Sequence, residues 1–221
     1  MTVQLDSALT ALAGVGPALA KKLERLNLYR VEDLLFLLPL RYEDRTQLVR
    51  LGALVAGERC LVTGEVLLAE TTFRGRRNLL VRIADGSGQL TLRFFHFSRS
   101  QQAQFQHGAR VTCFGEVRKG RAGFEMIHPE YRLLRNDQDP AINDSLTPIY
   151  PATEGVQQGR LRNLSEQALT AMRRTPPEEL LPDSIRRELA MPSLAEAIHY
   201  LNRPPPGADV ALMVAGRHPC Q

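Results

Sequence analysis

Asp85-Gly86-Ser87-Gly88, followed by Gln89-Leu90-Thr91-Leu92-Arg93-Phe94-Phe95-His96-Phe97, leaves few options for the middle of this chain. The Asp-Gly and Ser-Gly pairs supply the positive φ that a tight hairpin needs. The run after them alternates with a period of two, the pattern of a half-buried strand. Leu90, Leu92 and Phe94 fall on one face, which reads as core. Thr91, Arg93, Phe95 and Phe97 fall on the other, provided no bulge intervenes. Two aromatic rings beside a guanidinium on the wetter face form a platform on which a nucleobase can stack. The same rings can equally pack beneath another part of the protein, and the strand alone leaves both readings open.

The flanking sequence extends the pattern into an all-β block over residues 57–135. Arg59 to Glu70 alternates with Cys60, Val62, Val66 and Leu68 on one side. Asn78 to Ala84 is a second strand and Gln89 to Phe97 a third. Ser98 to Gln106 is polar and suits a short helix. Arg110 to Lys119 is a fourth strand, Gly120-Arg121-Ala122-Gly123 a turn, and Phe124 to Ile127 leads into a last strand. Three strands, a helical connection and two more strands is the order of an OB-fold barrel, with an SH3-like barrel as the competing assignment. An OB-fold binds oligonucleotides on strands 2 and 3 and on the loop between strands 1 and 2. Here that loop is Thr72-Phe73-Arg74-Gly75-Arg76-Arg77-Asn78, an aromatic and three arginines around a glycine. Arg118, Lys119 and Arg121 either extend the phosphate track or form a solvated hairpin tip.

Charge is unevenly spread. The chain has 221 residues and a net charge of +4. Residues 57–135 hold 13 Lys+Arg against 7 Asp+Glu, net +6, whereas residues 136–221 hold 8 against 11, net −3. The basic residues are arginine except at Lys21, Lys22 and Lys119. Arginine binds phosphate bidentately and stacks on bases, which suits nucleic acid, although a GC-rich genome produces the same bias. No basic segment followed by an apolar run opens the chain, and no apolar stretch is long enough to cross a bilayer. Cys60, Cys113 and Cys220 share no metal or redox spacing, and the five histidines show no ligand spacing. A reducing cytoplasm is therefore the expected location. No Gly-x-x-x-x-Gly-Lys-Ser/Thr run is present, so no nucleotide P-loop is expected, nor any catalytic residue or metal site.

The ends read as helical. Leu19, Leu23 and Leu26 follow the Gly14-Val15-Gly16-Pro17 turn at helical spacing, and Val31, Leu34, Leu35 and Leu38 suggest a second helix ended by Pro39. Helix, glycine turn and helix is the outline of a helix-hairpin-helix phosphate site, and equally of two packed helices. Leu40-Arg41-Tyr42-Glu43-Asp44-Arg45-Thr46 suggests a salt-bridged corner. After Gly155, Leu161, Leu164, Ala168 and Met172 form one apolar stripe. Thr175-Pro176-Pro177-Glu178 and Ser193-Leu194-Ala195-Glu196 both have capping-box spacing. Arg203-Pro204-Pro205-Pro206-Gly207 reads as a rigid spacer. The expected α+β arrangement is a small N-terminal helical segment (1–56), a central OB-fold barrel (57–135), and a loop with connector helices (136–221).

With those residues in place, the chain resembles the N-terminal part of the RecG family of ATP-dependent DNA helicases. The matching pieces run in order: Gly14-Val15-Gly16, Asp33-Leu34-Leu35 through Leu38-Pro39-Leu40-Arg41-Tyr42-Glu43-Asp44-Arg45-Thr46, Asp85-Gly86-Ser87-Gly88 with Arg93-Phe94-Phe95, Glu125-Met126-Ile127-His128-Pro129-Glu130-Tyr131, Thr147-Pro148-Ile149-Tyr150-Pro151 with Thr153-Glu154-Gly155, and Arg203-Pro204-Pro205-Pro206. The resemblance implies that the barrel is a wedge at the branch point of stalled replication forks and Holliday junctions. It implies fork reversal and branch migration in recombination and DNA repair, powered by two RecA-like motor domains with Walker motifs that would follow Gln221. ATP and Mg2+ are then expected for that motor and no cofactor for these 221 residues. The expected partners are branched DNA and a single-stranded DNA-binding protein, with no membrane, and the chain is expected to be a monomer. Among the wedge aromatics Phe95 matches best, Phe94 is its neighbour and Phe97 is assigned by position. Two rival readings stay open: a stand-alone OB-fold binder of single strands, and a structural adaptor whose aromatics are buried.

Overall fold

A computed structural model of the chain describes residues 3–72, 77–134 and 142–221. In chain order its elements are α1 (Pro17–Leu23), β1 (Arg41–Glu43), β2 (Arg59–Thr72), β3 (Asn78–Ala84), β4 (Gln89–Phe94), α2 (Arg99–Gln104), β5 (Arg110–Gly120), β6 (Gly123–Ile127), β7 (Glu130–Leu133), β8 (Thr147–Ile149), α3 (Gln158–Arg174), α4 (Asp183–Glu188), α5 (Leu194–Asn202) and α6 (Val210–Val214). They divide into two units. Asp44–Asp144 forms one, and Met1–Glu43 with Ser145–Gln221 forms the other.

The first of these is a closed barrel. β2 is long enough to pair twice. Its first half runs antiparallel to β5, from Arg59 opposite Glu116 to Glu65 opposite Arg110. Its second half runs antiparallel to β3, ending with Thr72 opposite Asn78. β3 pairs antiparallel with β4, β4 pairs parallel with β6, and β6 turns back antiparallel on β5. The circuit β2-β3-β4-β6-β5-β2, with its one parallel pair, is the OB-fold order and excludes the SH3-like alternative. β7 adds to β5, and α2 connects β4 to β5.

The core follows the alternation. Val62, Val66, Leu79, Val81, Ile83, Leu90, Leu92, Val111, Cys113, Val117 and Met126 are all buried inside the barrel. Full burial of one such aliphatic side chain contributes about 1.5–3 kcal/mol, against about 1 kcal/mol for a hydrogen bond. The strands are thus held mainly by packing, and the turns set their register. Asp85 does this between β3 and β4. Its Oδ1 accepts from the Ser87 N–H (2.9 Å), the Ser87 hydroxyl (2.7 Å) and the Gly88 N–H (3.1 Å), and its Oδ2 accepts from the Leu51 N–H (2.8 Å). Gly86 has φ +82°, and a Cβ on Gly88 would stand 2.8 Å from the backbone of Leu51 and Gly52.

Two strands depart from the simple alternation. The register of β2 against β3 shifts between Val66 and Leu68. That bulge turns Leu68 out to 44% exposure and lets Ala69 pack inward, so Leu68 does not share the Cys60, Val62 and Val66 face as expected. β4 stops at Phe94, three residues short of the expected strand end at Phe97.

In the second unit, residues 3–43 share a single core with Tyr150 and helices α3 and α5. Leu9, Leu23, Val31, Leu34 and Leu35 pack with Tyr150, Leu161, Leu164, Ala168, Met172 and Ile198. The units divide at 43/44 and 144/145, where boundaries at 56/57 and 135/136 were expected, and residues 145–221 belong to the same unit as the N-terminus. The expected helix over Val31–Leu38 is only a 3₁₀ turn at Glu32–Leu34. Its internal bonds are the short i→i+3 kind, from Leu34 N–H to Val31 O (3.2 Å) and from Leu35 N–H to Glu32 O (2.9 Å), and its first N–H groups dock on the N-terminal segment, Val31 to Ser7 O (3.0 Å) and Glu32 to Leu5 O (2.9 Å). With a 3₁₀ turn at Leu9–Ala11 before the glycines, the helix-hairpin-helix outline is not formed.

Further along, Ser193 and Glu196 make the expected capping box at α5. Thr175-Pro176-Pro177-Glu178 starts no helix; instead the Glu179 carboxylate accepts from the N–H groups of Leu181 (3.2 Å) and Leu194 (2.8 Å). Pro204 is buried and its carbonyl accepts from Leu146 N–H (2.8 Å), so the proline run is anchored rather than a spacer. β1 and β8 form a two-stranded ribbon, and the Tyr42 hydroxyl donates to Leu201 O at 2.8 Å.

Candidate nucleic-acid interface

The outer face of the barrel carries a groove of about 920 Å³. Its floor is the outward side of β3 and β4, with Leu80, Arg82, Thr91 and Arg93. The second half of β2 forms one wall through Leu68, Glu70 and Thr72. β6 and the β5–β6 hairpin form the other, through Glu125, Ile127, Lys119 and Arg121. Alternation explains the floor and one wall: Leu80, Arg82, Thr91, Arg93, Glu125 and Ile127 are each the outward neighbour of a buried residue on their strands. The lining holds four cations against the carboxylates of Glu70 and Glu125.

Arg93 is not available as a bare cation. Its Nε and Nη2 both donate to Oε2 of Glu125, at 3.0 and 2.7 Å. Arg82, Lys119 and Arg121 have no ion-pair partner among the described residues. Lys119 and Arg121 rise from the hairpin that closes between Gly120 and Gly123, the latter at φ +117°. Arg118 lies outside the groove lining. It is held side-on by the Glu116 carboxylate, with two contacts of 3.1 Å. Hydrogen bonding and charge within that pair push the Arg118 guanidinium up and the Glu116 carboxyl below its ordinary range.

The three aromatics named as DNA-binding candidates, Phe95 and Phe97 by alternation and Phe94 by the family resemblance, lie in three different settings. Phe94 is 2% exposed and belongs to the core, 5.7 Å from both Phe105 and Tyr131 ring to ring. It is the last inward position of β4, as alternation places it, so the stacking role that the resemblance extended to it does not hold. Phe95 is 38% exposed and lines the groove where β4 ends. Phe97, expected beside it, is half-buried against the barrel core, with the Arg77 guanidinium 4.6 Å from its ring centre. Alternation cannot carry Phe97 outward, since the strand has already ended at Phe94. Phe73, Arg74 and Arg76 lie outside the described residues; Arg77 is exposed next to β3.

Three contributors escape a reading of the sequence. Arg82 carries an alternation signal, sitting between the inward residues Val81 and Ile83. Leu68 depends on the β2 bulge and carries none. His128 is set beside Phe95 by the parallel β4–β6 pairing, whose register runs from Thr91 opposite Glu125 to Arg93 opposite Ile127. Arg45, part of the expected charged corner, stacks 3.9 Å over the Phe114 ring and is gripped through both Nη atoms by Glu130, at 2.7 and 2.9 Å. Among the described residues no His/Cys/Asp/Glu group is arranged to hold a metal ion, and no helix is long and apolar enough to cross a membrane.

Comparison with known proteins places these features in a family context. A family model described as the RecG wedge domain matches residues 10–172. The ATP-dependent DNA helicase RecG of Escherichia coli (strain K12) is 46% identical over 213 residues, covering 96% of this chain and 30% of the relative. The same helicase from Pasteurella multocida (strain Pm70) is 41% identical over 223 residues, covering all of this chain and 32% of the relative. A solved structure of RecG bound to a three-way DNA junction superposes with a TM-score of 0.74 at 24% identity, covering 98% of this chain and 29% of that one. The chain thus spans about a third of the length of the curated relatives it matches.

Proposed function

Because the chain belongs to the RecG wedge domain family, we propose that its barrel binds branched DNA and acts as the wedge that keeps strands apart at the branch point. The observation that carries this reading is Phe95, an exposed ring at the mouth of a groove edged by Lys119 and Arg121. A strand leaving the duplex runs along the β3–β4 face, its phosphates beside Arg82, Lys119 and Arg121, while the first unpaired base stacks on Phe95. The solved relative with the same fold is a complex with a three-way DNA junction, which supports branched DNA as the ligand class.

Energetics define how much the wedge does. Opening one base-pair step costs about 1.4 kcal/mol on average. Stacking a base on an aromatic side chain returns about 1–3 kcal/mol. Phe95 therefore holds one pair open and does not drive unwinding. Processive fork reversal and branch migration require a motor, and the relatives are ATP-dependent helicases. This chain has no Gly-x-x-x-x-Gly-Lys-Ser/Thr loop to cradle ATP and Mg2+, so no step on the nucleotide is assigned to its residues. In this reading the chain works as a monomer in the cytoplasm, with a single-stranded DNA-binding protein as a neighbour at the fork.

The test is a salt-titrated binding assay with a model fork, single-stranded DNA and duplex of equal length. The expected result is preference for the fork, reduced on the order of tenfold by Phe95→Ala. With about six phosphate contacts the log–log salt slope is about −5. Equal affinity for fork and single strand would make the barrel a general single-strand binder instead, and no affinity for either would make it an adaptor.

A further inference from the structure

We propose that His128 is a positioning residue for the wedge: its imidazole replaces a backbone acceptor at the end of β4 and fixes where Phe95 points. This rests on the wedge reading above. Parallel pairing between β4 and β6 ends with Arg93 opposite Ile127, and the His128 N–H still donates to Arg93 O at 2.9 Å. In a regular parallel ladder the next rung would run from the Phe95 N–H to the carbonyl of His128. That rung is not made. His128 sits at φ +47°, a left-handed backbone that turns the carbonyl away. Its own ring folds back instead, and Nε2 accepts the Phe95 N–H at 3.1 Å.

The same ring touches three successive side chains. It meets Phe94 edge-on at 5.9 Å, Phe95 at 5.5 Å and His96 nearly parallel at 6.1 Å. At this point the chain must send Phe94 into the core and leave Phe95 at the groove mouth. A backbone N–H in water is satisfied by any passing acceptor and sets no direction. One satisfied by a fixed imidazole ties the Phe95 Cα to β6, and the ring contacts then limit the rotamers open to Phe95. Fewer rotamers means less entropy lost when a base stacks, which is how a residue that never touches DNA changes affinity.

The test compares His128→Gln with His128→Leu. Both keep a side chain at a positive φ, so they share the backbone strain. Gln retains an acceptor at about the reach of Nε2, and Leu has none. The readout is binding to a fork carrying 2-aminopurine at the branch-point pair, with thermal melting measured alongside. The expected result is that His128→Leu loses fork affinity severalfold, that His128→Gln stays within about twofold of wild type, and that Phe95→Ala/His128→Leu is no weaker than Phe95→Ala alone. Equal losses in the Gln and Leu variants would overturn the proposal, as would an unchanged His128→Leu beside a weakened Phe95→Ala. If Phe95→Ala itself binds as wild type, it is the wedge reading that fails. Hydrogen exchange needs no variant: the Phe95 amide of the wild-type chain is expected to be protected, and exchange at the rate of an open loop would overturn the acceptor role whether or not His128→Leu folds.

Discussion

The barrel and the helical unit bury their cores in opposite ways along the chain. In the barrel, β3 and β4 are joined by a four-residue turn, and β5 and β6 by Arg121-Ala122. In these hairpins neighbours in sequence are neighbours in space, while the β4–β6 and β2–β5 pairs close the barrel between strands further apart. In the helical unit, Leu34 and Leu35 share a core with Leu161 and Leu164, more than a hundred residues away in sequence. The barrel's instructions are local, so a period-two pattern and a glycine turn announce it. The helical unit's instructions lie in long-range contacts, and its N-terminal segment adopts conformations that its own apolar spacing does not foretell.

The sharpest test of the comparison lies inside the barrel. Phe94→Ala empties a core position and is expected to cost about 3–5 kcal/mol, whereas Phe95→Ala leaves the melting temperature nearly unchanged and shows its effect in fork binding. Chemical denaturation of the two variants checks this; equal destabilisation would mean that Phe95 also belongs to the core. Next in size, Leu161→Ala in α3 is expected to cost about 2–5 kcal/mol. If the two cores are separate, calorimetry will show the loss in one transition, with the barrel transition unmoved. A single transition shifting as a whole would merge the two units thermodynamically.

A smaller effect concerns the Asp85 turn. The slight burial of its carboxyl, which raises the pKa, is outweighed by hydrogen bonds from the Leu51, Ser87 and Gly88 backbone and the Ser87 hydroxyl, so the folded value lies below the ordinary 3.8. A depressed carboxylate stabilises the fold above the unfolded value, and that stability is lost as the pH falls through 3.8 toward the folded value. Asp85→Asn is therefore expected to cost about 1 kcal/mol at neutral pH and to flatten the acid limb of the barrel's stability curve. An unchanged acid limb would show that the turn is held without the charge. The smallest effect separates two neighbours on one hairpin. Arg121→Ala is expected to reduce the steepness of the salt slope by about 0.9, while Arg118→Ala, already paired with Glu116, leaves it close to wild type.

Much of the barrel could be read residue by residue. Val62, Leu90 and Leu92 are inward where alternation places them, and Ser193-Leu194-Ala195-Glu196 caps α5 as its spacing implies. The candidate site was legible only in part. Phe95, Lys119 and Arg121 line the groove, but Arg118 stands outside its lining, Arg93 is tied to Glu125, and Phe97 folds back beneath Arg77. None of these departures has a signature in spacing, because each depends on a partner brought in by another strand.

Local chemistry decided the strands and turns of the barrel. Side chains two apart share a face wherever the strand is regular, and Gly86 and Gly123 adopt positive φ at little cost. Tertiary structure decided where regularity stops. The β2 bulge moves Leu68 into the groove, and the parallel approach of β6 brings His128 to the N–H of Phe95 just as β4 ends. Strand ends and bulges are set by closing the barrel, which balances every strand's hydrogen bonds against those of its neighbours, and no single stretch of sequence contains that balance.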